Sequence, residues 1–198
     1  MGFTGNLTVA RSHTPLAESS AVRASGALPQ QSAQAGAWQF LATSGEDVRA
    51  AALAAETAGP VVSAFVLEPK GPPVPKGRSE GAQRRNDDRR RRVQRARRRA
   101  DKSDSDFAVV EAFDADGPTW TCVLSPETAL DYDCPQDWIG EPAETARTAA
   151  DWAAAHGLTA DHAALAAVLA AESDPFAEDL VLELFAALGL PFGTPAAT

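Results

Sequence analysis

The chain has 198 residues, 44% hydrophobic and 23% charged, with 18 Lys and Arg against 27 Asp and Glu. That is enough for one domain with a sizeable core, while 2 cysteines without metal-ligand spacing exclude a disulfide-stapled scaffold or a zinc ribbon. The net charge of −9 conceals a reversal: residues 70–102 hold 14 basic side chains against 4 acids, and the remainder holds 4 against 23.

Leu7-Thr8-Val9-Ala10 alternates with period two, which predicts a half-buried strand over 5–11. Thr14-Pro15 has the form of a helix start, and a short helix would follow as far as Val22. Residues 23–36, RASGALPQQSAQAG, have the Gly, Ser, Pro and Gln content of a loop. A strand is predicted at Trp38 to Ala42, and Ser44 with Asp47 resembles a capping box opening an alanine-rich helix that stops at Gly59-Pro60. VVSAFVL, residues 61–67, suits a strand buried on both faces. A strand, helix and strand joined this tightly form a crossover, so the two strands should run parallel in one sheet.

FAVVEAF, residues 107–113, resumes strand character, with Asp114 and Asp116 as turn formers before Gly117 and a returning strand over 119–124. Ser125-Pro126-Glu127 would cap a short helix, and a loop leads to three C-terminal helices, over 142–156, 161–171 and from Asp174-Pro175 to Gly189. In the last of these Phe176, Leu180, Val181, Leu184, Phe185 and Leu188 share one face. The expected fold is α+β: a single mixed sheet of about five strands, then a helical C-terminal part. Residues 1–67 and 107–137 would form the core, 68–106 an insertion, 138–191 the helical part and 192–198 a disordered tail.

The insertion lacks aromatic residues and has almost no large apolar side chain, so it is expected to stay disordered or partly helical. Its candidate phosphate-binding residues are Arg84, Arg85, Arg89, Arg90, Arg91, Arg92, Arg95, Arg97, Arg98 and Arg99. A cluster of guanidinium groups would bind DNA or RNA through phosphates, with strong salt dependence and little sequence preference. Against that stand the acidic remainder, which repels a polyanion, and the general rule that runs of like charge are solvated.

No phosphate-cradling glycine loop, nucleophile elbow or HExxH occurs, so no catalytic, cofactor or metal residues are assigned. His13, His156 and His162 read as surface or cap residues, and Asp131, Asp133 and Asp137 lack the mid-loop glycine and distant Glu of a calcium loop. The opening residues MGFTGNLTVARSHTP show no basic stretch before a long apolar run, so a cytoplasmic protein without membrane contact is expected.

Three stretches, MGFTGNLTVAR, WQFLATSGEDVRAAALAAETAGPVVSAFVL and DPFAEDLVLELFAALGLPFG, together resemble a group of small, acidic, uncharacterised actinobacterial proteins. The resemblance implies an α+β cytoplasmic domain, makes 68–106 an insertion peculiar to this member, and lends no activity. The expected role is a non-enzymatic protein-interaction module with an unidentified protein partner, and nucleic-acid binding through the arginines is the alternative.

Overall fold

The structure, a computed structural model, describes residues 3–67, 107–132, 134–174 and 176–193. A single sheet has six strands in the order β2-β3-β1-β4-β5-β6: β1 (Gly5–Arg11), β2 (Leu28–Ala35), β3 (Trp38–Ser44), β4 (Val61–Leu67), β5 (Phe107–Asp114) and β6 (Gly117–Leu124). On one face lie α1 (Ser20–Ser25) and α2 (Ala50–Thr57), and after β6 comes α3 (Pro126–Asp131). The other face is covered by α4 (Pro142–Ala155), α5 (His162–Ala170) and α6 (Ala177–Ala187). The architecture is α+β, with helices on both sides of the sheet.

All five ladders are antiparallel, which corrects the expected mixed sheet. The crossover through α2 does carry β3 and β4 in the same direction, but β1 lies between them and pairs antiparallel with both. With helices on either side, β1 is buried on both faces rather than half-buried. Its apolar residues Leu7 and Val9 meet the C-terminal helices, and its polar Asn6 and Thr8 are also buried.

The sixth strand is β2, in the stretch that composition assigned to a loop. It is an edge strand whose side chains are almost all exposed, so it needs no apolar alternation and leaves no periodic signal. Gly36, at φ +60, opens the two-residue turn into β3.

Three expected caps are replaced. Ser44 remains in β3, and α2 starts after Arg49, which makes no side-chain cap bond. Ser125 adopts φ 59 and turns its hydroxyl to accept from the Ser173 N–H at 2.9 Å, while the Glu172 carboxylate accepts from the Glu127 and Thr128 N–H groups at the start of α3. Phe176, not Asp174, precedes α6. Phe192, placed in the tail by the sequence reading, lies against Phe40 with ring centroids 5.9 Å apart. No helix among the described residues is long and apolar enough to cross a membrane.

Candidate interaction site

Cross-strand partners in an antiparallel sheet point to the same face. Thr8 is opposite Ser63, Ser63 opposite Glu111, and Glu111 opposite Thr121, so a polar row crosses β1, β4, β5 and β6. At its inner end the row is satisfied internally, because the Thr8 and Ser63 hydroxyls hydrogen-bond at 2.8 Å in the buried interior. It emerges from the core as it proceeds: Ser63 is buried, Glu111 half-buried and Thr121 exposed.

There the row floors a cleft of about 360 Å³, lined by Val109, Glu111, Thr121, Trp138 and Gly140. Trp138 closes a 3-10 turn, Gln136–Trp138, and is 48% exposed, one of two large hydrophobic side chains held in solvent among the described residues. Burial pushes the Glu111 carboxyl above the usual carboxylate range, and the neighbouring Asp47 carboxylate raises it further. Asp47 is itself raised by partial burial. The Glu111 carboxylate has no hydrogen bond or ion pair among the described residues. The segment leading to Asp47 is tied to β1 by Asn6, whose Nδ2 donates to the Glu46 carbonyl at 3.0 Å and to the Thr43 hydroxyl at 3.4 Å.

A smaller cavity of about 150 Å³ lies beside β6 and is lined mainly by apolar groups, among them Cys122, Ile139 and Leu169. The Cys122 thiol is buried and its pKa is pushed up to about 12, so it packs as a small apolar group and is no nucleophile. Cys134 is also a free thiol raised by burial.

At one end of the sheet Asp114 does more than turn the chain. Its Oδ1 accepts from Trp152 Nε1 at 3.0 Å and bonds His156 Nε2 at 2.8 Å, while Arg11 packs over Trp38 and donates to the His156 carbonyl at 2.6 Å. These bonds latch the C-terminal end of α4 to β1 and β5, with a cation where the helix exposes its last carbonyls. His13 and His162 are exposed, as surface residues should be.

The candidate phosphate-binding residues Arg84, Arg85, Arg89, Arg90, Arg91, Arg92, Arg95, Arg97, Arg98 and Arg99 lie outside the described residues, as does Asp133. Among the described residues no group of three His, Cys, Asp or Glu side chains could hold a metal ion. Sequence reading missed Glu111 and Ser63. The available signal was a single polar residue inside each of two apolar strands, FAVVEAFD and VVSAFVL. Comparison with protein-family models, curated proteins and solved structures finds no match to this chain.

Proposed function

We propose that the protein is a non-enzymatic interaction module that receives a basic segment of a protein partner, with one Lys or Arg side chain seated in the Glu111 cleft. The observation that carries this reading is a half-buried carboxyl on the floor of a cleft beside Trp138, with no cation beside it among the described residues; burial and the Asp47 carboxylate both disfavour its charge. An incoming ammonium or guanidinium relieves both penalties at once. The exposed Trp138 face supplies a surface for the aliphatic stem and a cation–π contact for the head group. Outside residues 70–102 the 23 acids against 4 basic residues draw a cationic segment in from solvent.

The test is a titration of the full chain with a short Arg- and Lys-containing peptide, followed by tryptophan fluorescence and calorimetry. Hydrogen bonds to charged groups are worth about 1.5–3 kcal/mol, so Glu111→Gln should weaken binding about tenfold or more, and Trp138→Ala should weaken it too. The pH dependence has a definite sign. The ligand needs the ionised carboxylate, so affinity should be level at neutral pH and fall as pH drops through the raised Glu111 pKa, above the ordinary value of 4.5. Because ionising Glu111 costs the free protein stability, Glu111→Gln should raise its melting temperature at neutral pH and lose that advantage below pH 4.5. Equal affinity of wild type and Glu111→Gln would remove the cleft from the proposal.

Segregation of 14 basic residues into positions 70–102 supports a second reading, binding of DNA or RNA through phosphates. Leu67 and Phe107 are cross-strand partners, so a chain lacking 70–102 can still close β4 and β5 as a hairpin. Low-salt binding to nucleic acid that the deletion abolishes, and that fades steeply with added salt, is the result this reading expects. Equal behaviour of the two chains ends it.

A further inference from the structure

We infer that β2 is a self-association edge, through which two copies of the chain join their sheets across a two-fold axis. β2 is the outermost strand on its side of the sheet, and every side chain from Leu28 to Gln34 is exposed. An edge of this kind carries unpaired backbone donors and acceptors, which proteins ordinarily guard with charged side chains. Here that guard is missing: residues 24–45 contain no Asp, Glu, Lys, Arg or His. A bulge between Pro29 and Gln31 disrupts only the start of the strand, and Gln31 to Ala35 pair regularly with β3.

The two-residue turn makes Ala35 and Trp38 the closing hydrogen-bonded pair. By alternation the backbone N–H and C=O of Ser32 and Gln34 then point away from β3, toward the open edge. An antiparallel copy centred on Ala33 would set Ser32 of each strand opposite Gln34 of the other. Those two pairs exchange four backbone hydrogen bonds. The small Ala33 side chains meet on the axis, where antiparallel strands approach most closely. Neighbouring Gln and Ser side chains both donate and accept, so each is complementary to its own kind.

Charge selects the occupant. A basic partner is steered toward the acids and finds nothing to read on an uncharged strip. A second copy is repelled wherever acids face acids, and β2 offers it a contact without that penalty. The contact is isologous and closes as a dimer, because each copy has one such edge and uses it once. β6, the opposite edge, presents Pro118 near its start and a different sequence, so it does not complete an open chain of copies. This inference is independent of the Glu111 cleft, which lies across β5 and β6 at the other side of the sheet.

The experiment is sedimentation of the full chain over a wide concentration range at low and high salt, alongside Ala33→Glu and Gln34→Pro. Ala33→Glu sets two carboxylates against each other on the axis, and Gln34→Pro removes an outward N–H that β3 does not use. Both positions are exposed, and a melting profile equal to that of wild type at concentrations where wild type is itself monomeric will show that the monomer fold survives. The expected result is a wild-type dimer that tightens with salt, as screening relieves acid repulsion, and two monomeric variants. A wild type that stays monomeric throughout, assembles into species larger than a dimer, or remains dimeric in Ala33→Glu overturns the inference. None of these outcomes touches the cleft, whose peptide affinity is read separately and weakens with salt.

Discussion

Phe185→Ala is expected to destabilise the protein by about 3–5 kcal/mol, the range for deleting a fully buried aromatic side chain. Phe185 is 0% exposed and is the largest of the fully buried side chains. It sits on α6 within the cluster that joins α4, α5 and α6 to the apolar face of the sheet. The helix end holds it in register: Gly189, at φ +78, donates to the Ala186 carbonyl and Leu190 donates to the Phe185 carbonyl, both at 2.9 Å. Substituting Ala empties the centre of a layer whose backbone is fixed on both sides, so collapse around the gap should be incomplete. For a chain of this size the loss corresponds to a melting temperature lower by roughly 10 °C. Thermal and denaturant unfolding would measure it, and a change below about 1 kcal/mol would mean that α6 is not packed on the sheet as described. Peptide affinity at the Glu111 cleft should persist at temperatures where the variant is folded, since the cleft lies on the opposite face.

This helix is also where sequence and structure agree most closely. Leu180, Val181, Leu184, Phe185 and Leu188 announce one buried face, and Gly189 with Pro191 announces the stop, because helical periodicity is a local property that burial on one side imprints directly. β4 is similarly legible, since a strand covered on both faces needs an unbroken apolar run. β2 is not. An exposed edge strand is held mainly by backbone bonds to β3, with the Gln30 amide donating to the Ser44 hydroxyl at 2.9 Å, and its Gln and Ser residues read as a loop. The common direction of β3 and β4 follows from the helix between them, but nothing in that segment says that β1 is inserted between the two strands. The cleft fails for the same reason: Thr8, Ser63 and the hairpin that holds Glu111 and Thr121 are far apart in the chain and become neighbours only through register. Polar residues on the second face of β1 read as solvent-facing until α2 is known to cover them.

Gly5→Ala should have the next largest effect, about 2–4 kcal/mol, and unlike Phe185→Ala it should reach the binding cleft. Gly5 begins β1 between two strands, opposite Ser44 on β3 and Val66 on β4. Its φ of +151 is one that residues with a side chain rarely adopt. A Cβ there would stand 1.9 Å from the Thr43 carbonyl oxygen, 2.9 Å from its carbon and 3.0 Å from the Ser44 Cα. All three are backbone atoms in a paired strand, so no rotamer change can clear them. Either β1 or the end of β3 must move, and both lead to the site: Asn6 follows Gly5 directly and holds the Glu46 carbonyl next to Asp47, while Thr43 receives the other Asn6 hydrogen bond. The expected signature is therefore double, lower resistance to denaturant together with weaker binding of the basic peptide at temperatures where the variant is fully folded. Loss of stability with wild-type affinity would uncouple the start of β1 from the Asp47 carboxylate that acts on Glu111, and unchanged stability would mean that the close passage of β3 over Gly5 is not as described.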